Sequence, residues 1–270
     1  MNWRIGLNAG AYKGQPLIES VPIIMANGFD AVFTGYKTKE YAVELANHFS
    51  AAGLAYESIH APFKGINNIW LEGEEGDAML ATLLDCMEGC EAAGVPIMVV
   101  HLSSGENPPP ITDLGRARFD TLIETAGKKN ITLAFENQRK VANIAYVFDY
   151  YPDAPQVRFC WDCGHESCFT PGRRYMPLFG KKLVCTHIHD NIGHPTERSP
   201  DIHVLPFDGN IDYKRVAEDI AASPYRGTLM MEVTTKHTDM YENYTAEEWY
   251  ARAAAAIRRL ADLCNEALGE

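Results

Sequence analysis

The chain has 270 residues, of which 46% are hydrophobic and 22% are charged, with 21 Gly and 15 Pro. This is ordinary globular composition, and it excludes a disordered, collagen-like or disulfide-knotted chain. Lys and Arg number 24 against 36 Asp and Glu, a net charge of −12, so neither nucleic acid nor an anionic membrane is expected as a partner.

Short apolar, β-branched runs alternate with segments of helical spacing along the chain. The runs predict eight strands, at residues 4–8, 31–36, 55–60, 96–102, 132–136, 157–162, 183–189 and 228–233. Apolar residues recur every three to four positions in residues 79–90 and 249–264, which predicts helices there. Gly28, Gly53 and Gly94 each stand between a helical segment and a strand, where a left-handed helix cap is expected.

Eight strands alternating with helices over this length predict an α/β fold, a (β/α)8 TIM barrel, rather than an open doubly wound sheet. No G-x-G-x-x-G or Walker loop follows a strand, which argues against nucleotide binding. Nothing resembles a linker between folded halves, so residues 1–270 are predicted to form one barrel domain. Long loops are predicted at residues 63–76, 105–110 and 191–211, all after strands on one face.

Polar residues that bind metals and protons close most of the predicted strands. They are His60, His101, Glu136, Asp162 with His165, His187 with His189, and Glu232, with Asp201 and His203 in the following loop. In a TIM barrel the carboxyl ends of the strands converge on one mouth, where the chemistry is placed. Each residue alone is as well explained by capping or hydrogen bonding, but random placement would not produce the whole series.

Carboxylates that converge in a pocket repel each other, and burying them unpaired costs several kcal/mol each. A divalent cation removes that cost, and mixed oxygen and nitrogen ligands suit Mn²⁺, Co²⁺, Zn²⁺ or Mg²⁺. The sequence therefore predicts a divalent metal ion at this face.

The same residues carry a resemblance that spans nearly the whole chain. Its carriers are His60-Ala61-Pro62, His101, Glu136-Asn137, residues 161–165 (WDCGH), residues 187–191 (HIHDN), Asp201-Ile202-His203, residues 209–212 (GNID) and Glu232. The chain resembles the xylose-isomerase-like barrel superfamily, which holds sugar (phosphate) isomerases and epimerases and the apurinic-site endonucleases of the endonuclease IV type. These motifs are specific to the superfamily and much less specific to one activity.

In the ketose 3-epimerases, the resemblance implies one divalent metal held by Glu136, Asp162, His187 and Glu232. In the endonuclease branch it implies three zinc ions with nine ligands. Those ligands would be His60, His101, Glu136, Asp162, His165, His187, Asp201, His203 and Glu232. Ligand identity therefore does not separate the branches, but the acidic loops after the strands disfavour a duplex-binding enzyme.

One departure concerns the substrate. The ketose epimerases that this chain resembles usually have an Arg shortly after the metal-ligand histidine. This chain has His189 and Asp190 there, with Arg198 further along. His189 and Asp190 could orient a substrate hydroxyl instead, or His189 could point outward and be structural.

The predicted activity is a divalent-metal-dependent isomerase or epimerase of a small sugar or sugar-derived keto compound, phosphorylated or not. The metal would bind the carbonyl, and Glu136 and Glu232 would remove and return a proton beside it. His60, His101, His165, His189, Asp201 and His203 would bind substrate or additional metal. The alternatives are a multinuclear zinc phosphoesterase of the endonuclease IV type and a dehydratase of an inositol-derived ketone.

Six aromatic residues could form an apolar wall for a sugar, although aromatics in a barrel more often serve packing: Tyr12, Phe33, Tyr36, Phe63, Trp70 and Trp161. A homo-oligomer is possible, with an exposed segment around residues 241–250 as its interface.

The first residues lack the apolar run of a signal peptide, and no stretch approaches about 18 apolar residues. Most of the seven cysteines lie in apolar segments, where buried, reduced thiols are expected. A cytoplasmic location is the expectation.

Overall fold

A computed structural model of the chain describes residues 1–194 and 196–270. In this part of the chain eight β-strands alternate with α-helices. The strands are β1 (Ile5–Asn8), β2 (Ala31–Gly35), β3 (Ala55–His60), β4 (Ile97–Val100), β5 (Thr132–Glu136), β6 (Val157–Asp162), β7 (Leu183–His187) and β8 (Leu229–Met231). The α-helices are α1 (Leu17–Ala26), α2 (Lys39–Ala52), α3 (Glu74–Ala93), α4 (Asp113–Lys129), α5 (Val141–Tyr150), α6 (Cys163–Phe169), α7 (Met176–Phe179), α8 (Tyr213–Ala222) and α9 (Ala246–Leu268). Short 3₁₀ helices occupy Ile66–Trp70 and Gly180–Lys182.

The eight strands form one parallel sheet in the order β7-β6-β5-β4-β3-β2-β1-β8. Beyond the end of β7, Ile188 makes a parallel bridge to Met231 of β8, and this bridge joins the two outer strands of that order. The fold is therefore the predicted (β/α)8 TIM barrel.

The predicted strand positions are confirmed, and five of the strands are shorter at one or both ends. The fourth and eighth strands are each three residues shorter, and β7 ends at His187 rather than at residue 189. Ile188 turns to β8, and Asp190 then pairs antiparallel with Val204. Gly28, Gly53 and Gly94 each have a positive φ after a helix, as predicted.

Contacts divide the chain into two compact units. The first unit contains Met1–Phe33, His48–Tyr56 and Trp161–Glu270, and the second contains Thr34–Asn47 and Glu57–Cys160. That residues 1–270 form one domain remains a prediction.

The first unit packs strands β1, β2 and β8 tightly at Gly6. A Cβ at Gly6 would lie 2.7 Å from Met230 Sδ and 2.8 Å from the Ala31 carbonyl oxygen, so only glycine fits there. Ala31, Phe33 and Met230 form a buried apolar cluster beside it. Helix α9 covers this unit with Trp249, Ala253 and Ile257, and all three side chains are fully buried.

The second unit contains the segment predicted as a loop at residues 63–76. It is more ordered than predicted, because it holds a 3₁₀ helix and the first turn of α3. Arg118 of α4 fixes this segment: Nη1 donates to the carbonyl oxygens of Ile69 and Leu71, and Nη2 donates to Asp77.

Three smaller predictions can be judged from burial and helix composition. All seven cysteines are free and buried, as expected. Tyr241 and Tyr250 are buried, whereas Glu242, Asn243 and Glu247 between them are exposed, and an oligomer interface at residues 241–250 stays a prediction. No helix in the described residues is long and apolar enough to cross a membrane.

Candidate functional site

Glu136 is the centre of a buried cluster in the second unit. It ends β5 and is 1% exposed. Its Oε2 atom lies 3.1 Å from His60 Nε2 and 2.8 Å from His101 Nε2. The two histidines follow neighbouring strands, since β3 ends at His60 and β4 ends one residue before His101. Three predicted site residues are therefore brought together around one carboxylate oxygen.

The orientation of His60 restricts which atom can carry its proton. Nδ1 lies 2.8 Å from the Ala61 carbonyl oxygen, which can only accept a hydrogen bond, so Nδ1 is the donor. A neutral His60 therefore turns an Nε2 lone pair toward the Glu136 carboxylate. Two lone pairs at this distance repel each other, so the contact needs either a second proton or a cation that both atoms bind.

A second cluster in the first unit is built on Asp162 and Asp201. Asp162 ends β6 and caps α6, where its Oδ1 accepts the His165 backbone N–H at 2.6 Å. His189 Nε2 lies 3.0 Å from the same oxygen. The His165 ring connects the two acids, with Nε2 at 3.1 Å from Asp201 Oδ2 and Nδ1 at 3.5 Å from Asp162 Oδ2.

His203 repeats the orientation of His60. Its Nδ1 donates to the Glu232 carbonyl oxygen at 2.8 Å, and its Nε2 lies 2.9 Å from Asp201 Oδ2. Its ring also stacks on His189, with 3.8 Å between the ring centroids. His165, His189, Asp201 and His203 together place nitrogen and oxygen atoms close enough to hold a metal ion.

The acids and imidazoles of this cluster shift each other's proton affinity. Burial would raise the pKa of Asp201, but hydrogen bonds from His165 and His203 outweigh burial and hold that pKa well below its usual range. Burial would lower the pKa of His203, yet the hydrogen bond and charge of Asp201 raise it to about 9. Asp201 is therefore held in its anionic form, which is the form that binds cations.

His187 and Glu232 form a further pair in the first unit. His187 ends β7 and is fully buried, and its Nδ1 lies 3.1 Å from Glu232 Oε2. Phe33 stacks on the imidazole with 4.7 Å between the centroids, which fixes the ring plane. Glu232 follows β8, so two neighbouring strands supply this pair.

Asp190 and Asn191 organise the loop that carries Asp201 and His203. The Asp190 carboxylate accepts backbone N–H groups from Asn191, Phe207 and Ile211, and so ties this loop together. Asn191 Oδ1 accepts the Ile202 N–H at 2.7 Å, and its Nδ2 donates to Asp201 Oδ1 at 3.1 Å. His189 is buried, and its ring points at Asp162 rather than outward. Residue 195, inside this predicted loop, lies outside the described residues.

Sequence reasoning did not assign roles to three residues that support these clusters. Asn191 is one, and Gln138 is another, since its Nε2 lies 3.2 Å from His101 Nε2. Gly164 is the third, because a Cβ there would fall 1.9 Å from Cε1 of His189. Gln138 stands two residues after Glu136 and Gly164 lies between two site residues, so proximity in sequence was the available signal.

A family comparison identifies the kind of barrel. The model of the family described as "Xylose isomerase-like TIM barrel" matches residues 22–266. The chain belongs to the xylose isomerase-like TIM-barrel family. The predicted resemblance is thereby confirmed at the level of the superfamily.

One curated protein is similar in sequence over part of its length. The uncharacterized protein y4fM of Sinorhizobium fredii is 30% identical over an alignment of 190 residues, and the match covers 65% of this chain. The matched region spans 58% of the length of that relative.

Solved structures share the xylose isomerase-like fold over almost the whole chain. The IOLI protein with a bound zinc atom has a TM-score of 0.78 at 16% identity, covering 99% of this chain and 100% of its own. A D-psicose 3-epimerase from Clostridium cellulolyticum H10, solved with D-tagatose, has a TM-score of 0.76 at 12% identity, covering 97% of this chain and 99% of its own. At these identities the likeness shows the fold.

Proposed function

We propose that this protein is a divalent-metal-dependent isomerase or epimerase of a small sugar or sugar-derived keto compound. The observation that carries the metal dependence in this proposal is the shared orientation of His60 and His203, which lie beside the proposed ligands Glu136 and Glu232. Each donates its Nδ1 proton to a backbone carbonyl and turns Nε2 toward a carboxylate oxygen. Histidines that bind metals adopt this arrangement, because the outer hydrogen bond fixes the ring and leaves the inner lone pair for the ion.

Glu136, Asp162, His187 and Glu232 are the residues that we propose to hold one divalent ion. Each ends or directly follows one of the strands β5 to β8, at the end where TIM barrels place their chemistry. Three carboxylates and one imidazole nitrogen are a ligand set suited to Mn²⁺, Zn²⁺, Co²⁺ or Mg²⁺. When bound, the ion supplies a Lewis acid that polarises a substrate carbonyl.

Glu136 and Glu232 are the proposed proton carriers. One glutamate removes the proton from the carbon beside the substrate carbonyl, and the other returns a proton to the same carbon or to its neighbour. Return to the opposite face of the same carbon is epimerisation, and return to the neighbour is isomerisation. Imidazole nitrogens lie within 3.1 Å of both carboxylates and hold them in place.

The remaining site residues have a proposed role in binding substrate oxygens or an additional metal. His60 and His101 lie on Glu136, whereas His165, His189, Asp201 and His203 form the cluster in the first unit. That cluster also favours a second candidate function, a multinuclear zinc phosphoesterase, because its four side chains could hold an ion of their own. A dehydratase of an inositol-derived ketone is a near alternative, since it begins with the same proton removal.

Hydrogen exchange in D₂O tests the proposed reaction. The protein is incubated with Mn²⁺ and a panel of unphosphorylated and phosphorylated ketoses, and deuterium beside the carbonyl is measured by mass spectrometry. We expect exchange with at least one ketose, and we expect Glu136→Gln to slow it by about 10²- to 10⁴-fold. Glu124→Gln, a change in an exposed glutamate of α4, is the matched control and should exchange at the wild-type rate.

Metal counting separates the two candidate functions. One ion per chain with ketose exchange supports the isomerase or epimerase. Two or three zinc ions per chain, hydrolysis of a phosphoester panel and no exchange would establish the phosphoesterase instead.

A further inference from the structure

Only one of the six aromatic residues proposed as a sugar-binding wall keeps a large apolar surface in solvent. Phe33, Trp70 and Trp161 are buried, at 2%, 2% and 0% exposure. The hydroxyls of Tyr12 and Tyr36 are bonded to the Tyr244 carbonyl oxygen and to Asp85. Phe63 is 49% exposed. Phe33, Trp70 and Trp161 therefore pack the interior, Tyr12 and Tyr36 are half-buried with bonded hydroxyls, and Phe63 is the most exposed ring of the six.

The Phe63 ring lies directly against the histidines that bind Glu136. It stacks on His101 with 4.7 Å between centroids and an interplanar angle of 27°, and it meets His60 edge-on at 5.6 Å. Both imidazoles direct Nε2 at Glu136 Oε2. Because one face of the phenyl ring is covered by His101, the surface left to solvent is the opposite face and the rim.

The loop that carries Phe63 is fixed rather than free to swing. The Ile66 N–H donates to the Phe63 carbonyl oxygen at 3.0 Å, and Gly65 has a φ of 82°, as a tight turn with glycine in its third position requires. Asn67 and Trp70 then tie the loop to the segment after His101. Asn67 and Ser104 exchange two hydrogen bonds of 2.9 Å, and Trp70 Nε1 donates to the Leu102 carbonyl oxygen.

An exposed phenylalanine is common by itself, since much of a protein surface is apolar. Its position here is less common, because a rigid apolar face stands beside buried acid and imidazole groups. Small-molecule sites combine such faces with a few fixed polar groups. An aromatic face is also electron-rich, so it favours C–H groups and cations over anions.

We propose that Phe63 is a specificity-determining residue that binds the C–H face of the sugar carbon chain beside Glu136. This inference rests on the proposed function and narrows its substrate: the part of the sugar over Phe63 is uncharged and carries no phosphate.

Steady-state kinetics of Phe63 variants test the inference, with D-tagatose as the first probe and the most active ketose of the exchange panel as the second. Phe63→Ala should raise KM about tenfold, because a tenfold change corresponds to roughly 1.4 kcal/mol of lost apolar contact. The change in kcat should be smaller. Phe63→Tyr keeps the ring and should restore a KM near that of the wild type. Leu114→Ala removes another exposed apolar side chain of the second unit, 39% exposed on α4, and should leave KM unchanged.

A binding measurement covers the case in which Phe63→Ala does not fold. Phe63→Trp places a fluorophore in the loop, and the emission of this variant should change saturably with the same ketose at fixed Mn²⁺. An active wild type with equal KM in the Ala and Tyr variants, or an emission of the Phe63→Trp variant that the ketose does not change, would overturn the role of Phe63 and leave the proposed reaction intact. Failure of the proposed reaction has a different signature, since the wild type would then show no exchange while the fluorescence titration of the Phe63→Trp variant still reports binding.

Discussion

Gly164 shows how one missing side chain determines the position of a candidate ligand. It stands in the first turn of α6, between Asp162 and His165, and the His189 ring occupies the space that a Cβ would fill. The ring in turn contacts Asp162 and stacks on His203. Any side chain at residue 164 must therefore displace His189.

Gly164→Ala is expected to destabilise the protein by about 1–3 kcal/mol, the usual cost of inserting a methyl group into a packed interior. It should also reduce metal content, because His189 and its neighbours must shift. Urea denaturation and metal analysis measure the two effects.

Gly180→Ala is the control for this change. The nearest atom to a Cβ at Gly180 is Met176 Cε at 3.4 Å, which is an ordinary contact, and the backbone φ there is −57°. Equal midpoints for the two alanine variants would contradict the packing argument.

At the scale of elements, the conformation of residues 201–203 in the loop after β7 depends on the side chain of Asn191. Asn191 is fully buried, and it holds the Ile202 N–H and the Asp201 carboxylate at once. His203 has a positive φ of 53°, a strained conformation for a residue other than glycine. The hydrogen bonds of Asn191 and of the His203 ring hold this conformation in place.

Asn191→Ala is expected to cost about 1–3 kcal/mol, because buried backbone N–H groups lose their acceptor. It should weaken metal binding at the Asp201 cluster more than Asn210→Ala does. Asn210 sits in the same loop and exchanges two 2.8 Å hydrogen bonds with Gly193, but these bonds are exposed. Thermal unfolding and zinc titration compare the variants. A smaller loss of stability and zinc affinity in Asn191→Ala than in Asn210→Ala would contradict this role of Asn191.

The sequence indicated the strand ends well and the loops poorly. Glu136, Asp162 and His187 could be placed because each closes a continuous apolar run, which is a local signal. The end of β7 was placed two residues late, since the residue after His187 forms an isolated bridge to Met231, which lies far away in sequence. The contacts of Asp190 were missed for the same reason, because its partners are backbone groups of residues 207 and 211.

Burial was the other property that local patterns could not supply. Phe33, Phe63 and Trp161 look alike as aromatic residues near strand ends, yet their exposures are 2%, 49% and 0%. Exposure depends on which distant elements cover a residue, so only the fold separates a packing aromatic from one that can bind a ligand.

For the whole molecule, the main expectation is that metal stabilises the fold. A ligand that binds only the folded state adds about 2.7 kcal/mol at a concentration a hundredfold above its Kd. One kcal/mol shifts Tm by roughly 2–4 °C in a chain of this size. Removal of metal with a chelator should therefore lower Tm by several degrees, and Mn²⁺ or Zn²⁺ should restore it.

Calorimetry of the metal-free, Mn²⁺-loaded and Zn²⁺-loaded protein measures this shift. A variant with both Glu136→Gln and Glu232→Gln serves as the comparison and should respond much less to added metal. A Tm that is the same in all three states of the wild type would count against a metal held by these side chains.

Alkylation of the seven buried cysteines would report local unfolding of this chain. Thiolates are the reactive form toward alkylating reagents, and burial raises the pKa of Cys163 far above its usual range and that of Cys264 to about 12. Labelling therefore has to wait until a segment unfolds. Cys86 and Cys90 lie on α3, Cys163 and Cys168 on α6, and Cys264 on α9. The rate at which each cysteine-containing peptide gains mass would therefore measure how fast each of these helices unfolds.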